Sequence, residues 1–295
     1  MTTILVVLLV GLLGSPSPAL AWGAAVHRYL MGRAIDLLPP EVGPFFEAHR
    51  QELTWRVNDP DLWRVVGWDE DAHHFLDFDA KEYGSYPFMA LPRDYEAAVR
   101  RFGEATVKRY GLLPWRTEEM FDRLREAFRS VPRGAPYASS DIVVFASALA
   151  HYAQDAHQPL HATINYDGQQ SGQRGVHARF EGALFERFQS RLSLAPAPPR
   201  PLASPRDVLF DVLLESNRSV APLLAADRAA ARGGRTYDDR YFEAFFTGTR
   251  TLLERRLAEA ATLTASLILG AWTDAGRPAL QRPAARPPQL SRPPD

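Results

Sequence analysis

Apolar positions recur at helical spacing along most of the chain. After His27, the run Tyr29, Leu30, Ala34, Ile35, Leu37 and Leu38 follows the i, i+3, i+4 pattern of one buried helix face. Pro39-Pro40 ends that helix, and a second is predicted over 41–56. Asn58 to Arg64 reads as a loop or turn into a helix start, punctuated by Asp59-Pro60. Residues 78–93, with Gly84, Pro87 and Pro92, read as irregular. Further helices are predicted over 93–112, 116–130, 140–157, 176–192, 206–232 and 238–272, with a Pro/Ala loop over 194–205. Within 140–157 the run Ile142, Val143, Val144, Phe145, Ala146 and Leu149 suits a buried helix, and Pro159 stops it. No strand alternation and no internal repeat is present. The pattern predicts an all-α fold, a single multi-helix domain over 22–275.

Composition changes this picture mainly at the ends. The 295 residues are 46% hydrophobic, enough for one large core. Residues 1–21 read as a secretory signal, with an apolar run from Ile4 to Leu13 and the cleavage pattern Ala19-Leu20-Ala21. The run is too short for an ordinary membrane span. The mature chain is therefore expected to be exported, to a periplasm or outside the cell, with no transmembrane segment. Residues 276–295, rich in Pro and Arg, read as a disordered tail. The net charge of −1, with no basic run, argues against electrostatically driven binding of long duplexes, though not against a short substrate segment. Cysteine is absent, so an exported fold has to rely on core packing and, by this reading, on bound metals. No obligate protein partner is implied.

The candidate chemistry is concentrated in His151-Tyr-Ala-Gln-Asp155-Ala-His157-Gln-Pro-Leu-His161 and the later His177-Ala-Arg-Phe-Glu181. His151 and Asp155 are four apart and share a helix face, as do His177 and Glu181. His161 lies just past the Pro159 stop and can turn back to the same point. Imidazole nitrogens with carboxylate oxygens, and no thiolate, suit zinc in a hydrolytic site. His157 is off the face of His151 and Asp155 and reads as a supporting residue; His49 is left out. Adjacent His73 and His74 cannot both reach one metal. His74, before Phe75-Leu76-Asp77, is the candidate ligand, and His73 is expected to face solvent. Asp59 and Asp61 are alternatives, with Asp61 favoured because Arg64 follows three residues later. If cleavage follows Ala21, Trp22 gains a free amine that can chelate a metal together with its carbonyl oxygen. The aromatics Trp63, Phe75, Tyr166 and Phe180 could stack on bases or pack against a lipid headgroup. A zinc peptidase would need His-Glu-x-x-His on one helix, and that string does not occur. A metal-storage protein would carry many equivalent sites rather than one ordered set.

In order along the chain, Trp22, His27, Asp61, His74, His151, Asp155, His161, His177 and Glu181 make the sequence resemble the zinc-dependent phospholipase C and single-strand-specific nuclease superfamily. The likeness runs from Trp22 to about Glu181 and rests on the N-terminal Trp, His-x3-Asp-x5-His and the later His-x3-Glu. It implies an all-α fold holding three zinc ions. One zinc would take Asp61, His74 and His151, with Asp155 shared. A second would take His161, His177 and Glu181. The third would take Trp22, His27 and Asp155. Catalysis would use Asp61 to orient or deprotonate the attacking water and Arg64 to offset charge on the phosphate. Pro60-Asp61, Arg33-Ala34-Ile35-Asp36, the Asn165 after His161 and the final Glu181 resemble the phospholipase branch, which makes a phospholipid the first expected substrate. His27 at the sixth mature position, Asp61-x-x-Arg64 and Gln158-Pro-Leu-His161 resemble the nucleases, which cut single-stranded nucleic acid to 5′-nucleotides. Two departures stand out: Gln154, where the phospholipases carry a small residue, and Tyr166 to Gly175, which lacks the nucleases' Gly-Gly-Asn loop.

Overall fold

The computed structural model describes residues 23–232 and 236–280. The expected signal segment and Trp22 lie outside them, as does the tail from 281. Among the described residues the fold is all-α, without strands. Twelve helices are arranged around two apolar clusters: α1 (Ala24–Asp36), α2 (Gly43–Ala48), α3 (Arg50–Arg56), α4 (Asp59–Val65), α5 (Tyr95–Phe102), α6 (Glu104–Arg109), α7 (Leu113–Ser130), α8 (Ala138–Asp155), α9 (Val176–Ala178), α10 (Leu184–Phe188), α11 (Pro205–Ala231) and α12 (Asp239–Asp274). None of them is long and apolar enough to cross a membrane.

The apolar run of α8 is the centre of the larger cluster. Ile142, Val143, Ala146 and Leu149 are buried there with Phe121 and Leu124 of α7 and Leu267 and Ile268 of α12. The smaller cluster joins Leu30 of α1, Phe180, Leu184 and Phe185 to Phe245 and Leu253 in the first half of α12. The 36 residues of α12 thus span both clusters. The segment 193–202 is strapped along α12 by Ser193 N to Glu254 Oε1 (2.8 Å), Arg200 N to Ser266 Oγ (3.1 Å) and Thr262 Oγ1 to Ala197 O (3.3 Å).

Several expected helices are broken, each for a local reason. The helix predicted over 41–56 is two, α2 and α3, hinged at His49 (φ −105°, ψ 10°). The His49 Nδ1 donates to the Phe45 carbonyl at 2.9 Å, closing α2. The one predicted over 93–112 divides at Gly103 (φ +81°), a backbone conformation that glycine adopts without a Cβ clash. The expected loop into a helix start at 58–64 is α4 itself, with Pro60 in its first turn. The stretch 176–192 contains a π turn, Arg179–Ala183, between α9 and α10. Residues 276–280, assigned to the tail by composition, pack on the core: Pro278 is buried, and its carbonyl accepts from Trp272 Nε1 at 3.0 Å.

Candidate metal centre

Six segments deliver the ligands. α1 supplies His27, α4 supplies Asp61, and a 3-10 turn over Asp71–His74 supplies His74. The end of α8 brings His151 and Asp155 one turn apart, and the turn Pro159–Ala162 returns His161. α9 and its π turn present His177 and Glu181. All eight side chains are buried. They form three groups that could hold metal ions, the first two sharing His151: His27, His151 and Asp155; Asp61, His74 and His151; His161, His177 and Glu181.

Hydrogen bonding fixes which nitrogen each imidazole presents. A carbonyl oxygen can only accept, so a ring nitrogen bonded to one carries the proton. His151 Nδ1 donates to Val57 O at 2.8 Å, His161 Nδ1 to His74 O at 2.7 Å, and His177 Nδ1 to Tyr166 O at 2.9 Å. His27 Nδ1 bonds Gln154 Oε1 at 2.7 Å. Each ring therefore turns Nε2 inward. His161 Nε2 and His177 Nε2 lie 3.2 Å apart. Two bare lone pairs repel at that distance; a cation or a shared proton turns the contact attractive. Likewise His27 Nε2 and Asp155 Oδ1 face each other at 3.4 Å, and neither has a hydrogen-bond partner among the described residues. His74 differs: its Nδ1 faces inward, 3.0 Å from Asp155 Oδ2 and 3.8 Å from Asp61 Oδ1.

The electrostatics follow from burial. For Asp155, burial alone would push the carboxyl up; the imidazoles of His151 and His161 outweigh it and hold the group well below the usual carboxylate range. Burial opposes charge on His151 too, yet Asp155 and Asp61 push it up to about 9. Burial pulls His161 down to about 3. Burial raises Glu181, and Glu181 in turn raises His177 from 2.8 Å away, against the effect of burial.

Asp59 and Asp61 are separated by the geometry. Asp61 is buried and points at His74 and His151 Nε2 (3.9 Å), whereas Asp59 pairs with Arg56 at 3.2 Å. Arg64 lies 3.4 Å from Asp61 and 2.7 Å from Asp71. His157 turns away from the cluster, donating to Ala153 O at 2.8 Å. His73, expected to face solvent, is about one-fifth exposed, 3.2 Å from Glu70; the three-residue period of its turn sets it above that carboxylate. Phe180 is fully buried against Phe245, so it is a core residue and not a cleft aromatic. Phe75 and Tyr166 do line the cleft.

That cleft, of about 470 Å³, opens onto the cluster and is walled by Arg64, Asp71, His74, Phe75, Asp77, Arg109, Leu160, His161, Tyr166 and His177. A larger cavity of about 720 Å³ lies between α11, α12 and the 193–202 strap, but no clustered ligand lines it. Its Arg255 and Arg256 are paired with Glu215 and Glu259.

Sequence reasoning missed the residues that hold the ligands in place. Gln154 orients His27; Gln158 donates to Glu181 Oε2 at 3.2 Å and accepts from Leu160 N at 3.0 Å. Gly111 (φ +104°) lets the chain pass against the Phe75 carbonyl, where a Cβ would overlap. Leu112 N to Ala72 O (2.6 Å) and Asp77 N to Tyr110 O (2.7 Å) then fasten the His74 turn. Gln154 had a signal in sequence, as the departure in an otherwise matching motif.

Fold and site together define an all-α protein with a buried histidine–carboxylate cluster that could hold three cations. No family model matches the sequence, and no curated protein matches it either.

Proposed function

We propose that this chain is an exported, zinc-dependent phosphodiester hydrolase of the phospholipase C type. The observation that carries the reading is the pair of inward nitrogens on His161 and His177, 3.2 Å apart with both Nδ1 atoms committed to carbonyls. Nitrogen and carboxylate donors without sulfur fit zinc, and three buried carboxylates call for compensating positive charge. Trp22, next to the Gly23 that caps α1, would complete the His27–Asp155 group through its amine and carbonyl. Bound zinc would supply a water of lowered pKa and neutralise charge on the phosphate. Asp61 stands at the cluster's edge nearest Arg64, where it can orient the attacking water or take its proton. Arg64 can then turn one N–H group to a phosphate oxygen while Asp71 holds the other side of its guanidinium.

Phospholipid is the first substrate class. Single-stranded nucleic acid is the second, favoured by Phe75 and Tyr166 on the cleft wall, where bases could stack. The test uses mature protein beginning at Trp22, phosphatidylcholine vesicles and single-stranded DNA and RNA, each with and without a chelator. Chelator-sensitive release of the phosphorylated headgroup is expected. Asp61→Asn should lower turnover by about 10²-fold or more while leaving far-UV circular dichroism unchanged. Full activity after exhaustive chelation would overturn the proposal.

A further inference from the structure

The helix that carries Asp61 and Arg64 toward the cleft turns an apolar face to solvent. Leu62 is 56% exposed, Val65 and Val66 are each 67% exposed, and Trp68, just past the helix end, is 62% exposed. Scattered exposed apolar residues are ordinary, but four within seven positions form one patch on and just after the helix whose Arg64 walls the cleft. Trp68 stacks on Trp63 with ring centroids 5.7 Å apart, and Trp63 packs against the core, so the patch is anchored.

The charges around it narrow what can cover it. Arg56 is paired with Glu52 at 2.9 Å and Asp59 at 3.2 Å, Arg64 with Asp71 and Asp61, and Lys108 with Asp69. A polyanion needs unpaired cations to bind, and Arg56, Arg64 and Lys108 are each neutralised within the protein. An apolar surface in an electrically balanced frame, with a tryptophan at its edge, matches the interface of an uncharged bilayer. A diester phosphate of a phospholipid also lies at the boundary between the apolar layer and water, level with a cleft whose Arg64-bearing helix enters that layer.

We infer that the outer face of α4 with Trp68 seats the protein on a zwitterionic phospholipid surface, placing the cleft over headgroup phosphates. The inference rests on the proposed hydrolysis for its purpose, but not for its test. Full-length mature protein is floated with phosphatidylcholine vesicles beside the double variant Val65→Asp/Val66→Asp. Trp68→Ser is run in parallel in case the double variant loses helicity. The native protein should partition to the vesicles and the variants about tenfold less. Hydrolysis of a soluble diester, bis(p-nitrophenyl) phosphate, should be unchanged, because none of these side chains belongs to the catalytic cluster. No partition of the native protein, or equal partition of the variants, overturns the inference. So does a patch-dependent affinity for a single-stranded oligonucleotide, or a patch-dependent dimer, without vesicle binding. Diester turnover without vesicle binding removes the surface role and leaves the enzyme; vesicle binding without turnover of any diester does the reverse.

Discussion

Asp155 sits where the groups meet. One carboxylate oxygen faces His27, and the other faces His74 and His151. A single side chain thus joins α1, α8 and the His74 turn, and its buried charge is stable only among those imidazoles. Asp77, on the cleft wall, behaves oppositely. Burial, helped by Asp79, pushes its carboxyl up to about 8. In the folded protein it keeps a proton that the unfolded chain releases near pH 4. The unfolded state then binds fewer protons, so this group's contribution to stability falls as pH rises from about 4 and levels off above about 8. Asp77→Asn removes that loss. Its melting temperature should exceed that of the native protein by about 3 °C or more at pH 8 and match it near pH 4, as followed by circular dichroism. A difference that does not depend on pH would contradict the assignment.

Among the elements, the short ones shape the centre. α8 brings His151 and Asp155 onto one face by plain helical spacing, and Pro159 turns the chain so that His161 returns. The π turn after α9 holds Glu181 2.8 Å from His177 within an otherwise helical run. The His74 segment is a single 3-10 turn and depends on the backbone bonds between residues 72–77 and 110–113, which require Gly111. Gly111→Ala brings a positive-φ penalty and a backbone overlap together. It should cost about 2 kcal/mol or more in chemical denaturation. On the proposed three-zinc reading, displacing His74 should also lower the zinc content of purified protein, read by mass spectrometry, from three toward two.

For the whole molecule, the two apolar clusters are built from side chains other than the candidate ligands. The protein should therefore remain helical when stripped of metal but melt earlier. Ions bound far above their dissociation constants each contribute about 3 to 4 kcal/mol. Exhaustive chelation should lower the melting temperature by more than about 10 °C, and zinc should restore it. A melting curve indifferent to chelation would show that the cluster binds no ion. The electrical balance of the α4 surface belongs to this scale too, because its pairs come from α3, α4, α6 and the Asp69–Asp71 turn.

The all-α class and the pairs His151/Asp155 and His177/Glu181 were readable in sequence, because both depend on short-range regularities: the 3.6-residue repeat and side chains four apart on one turn. The breaks at His49 and Gly103 were not, since a helix can be interrupted by a single cap or a positive φ without disturbing the apolar repeat. Nor could spacing decide between Asp59 and Asp61: both lie on α4, and only its packing beneath His151 buries one and leaves the other with Arg56. The same holds for Phe180, an aromatic close to the ligands in sequence and inside the core in space. Which nitrogen each histidine presents, and which carbonyl holds it there, joins residues as distant as Val57 and His151. Periodicity specifies a face of each helix; only the tertiary structure brings those faces together, because the partner that orients a buried polar group is set by packing and not by neighbours along the chain.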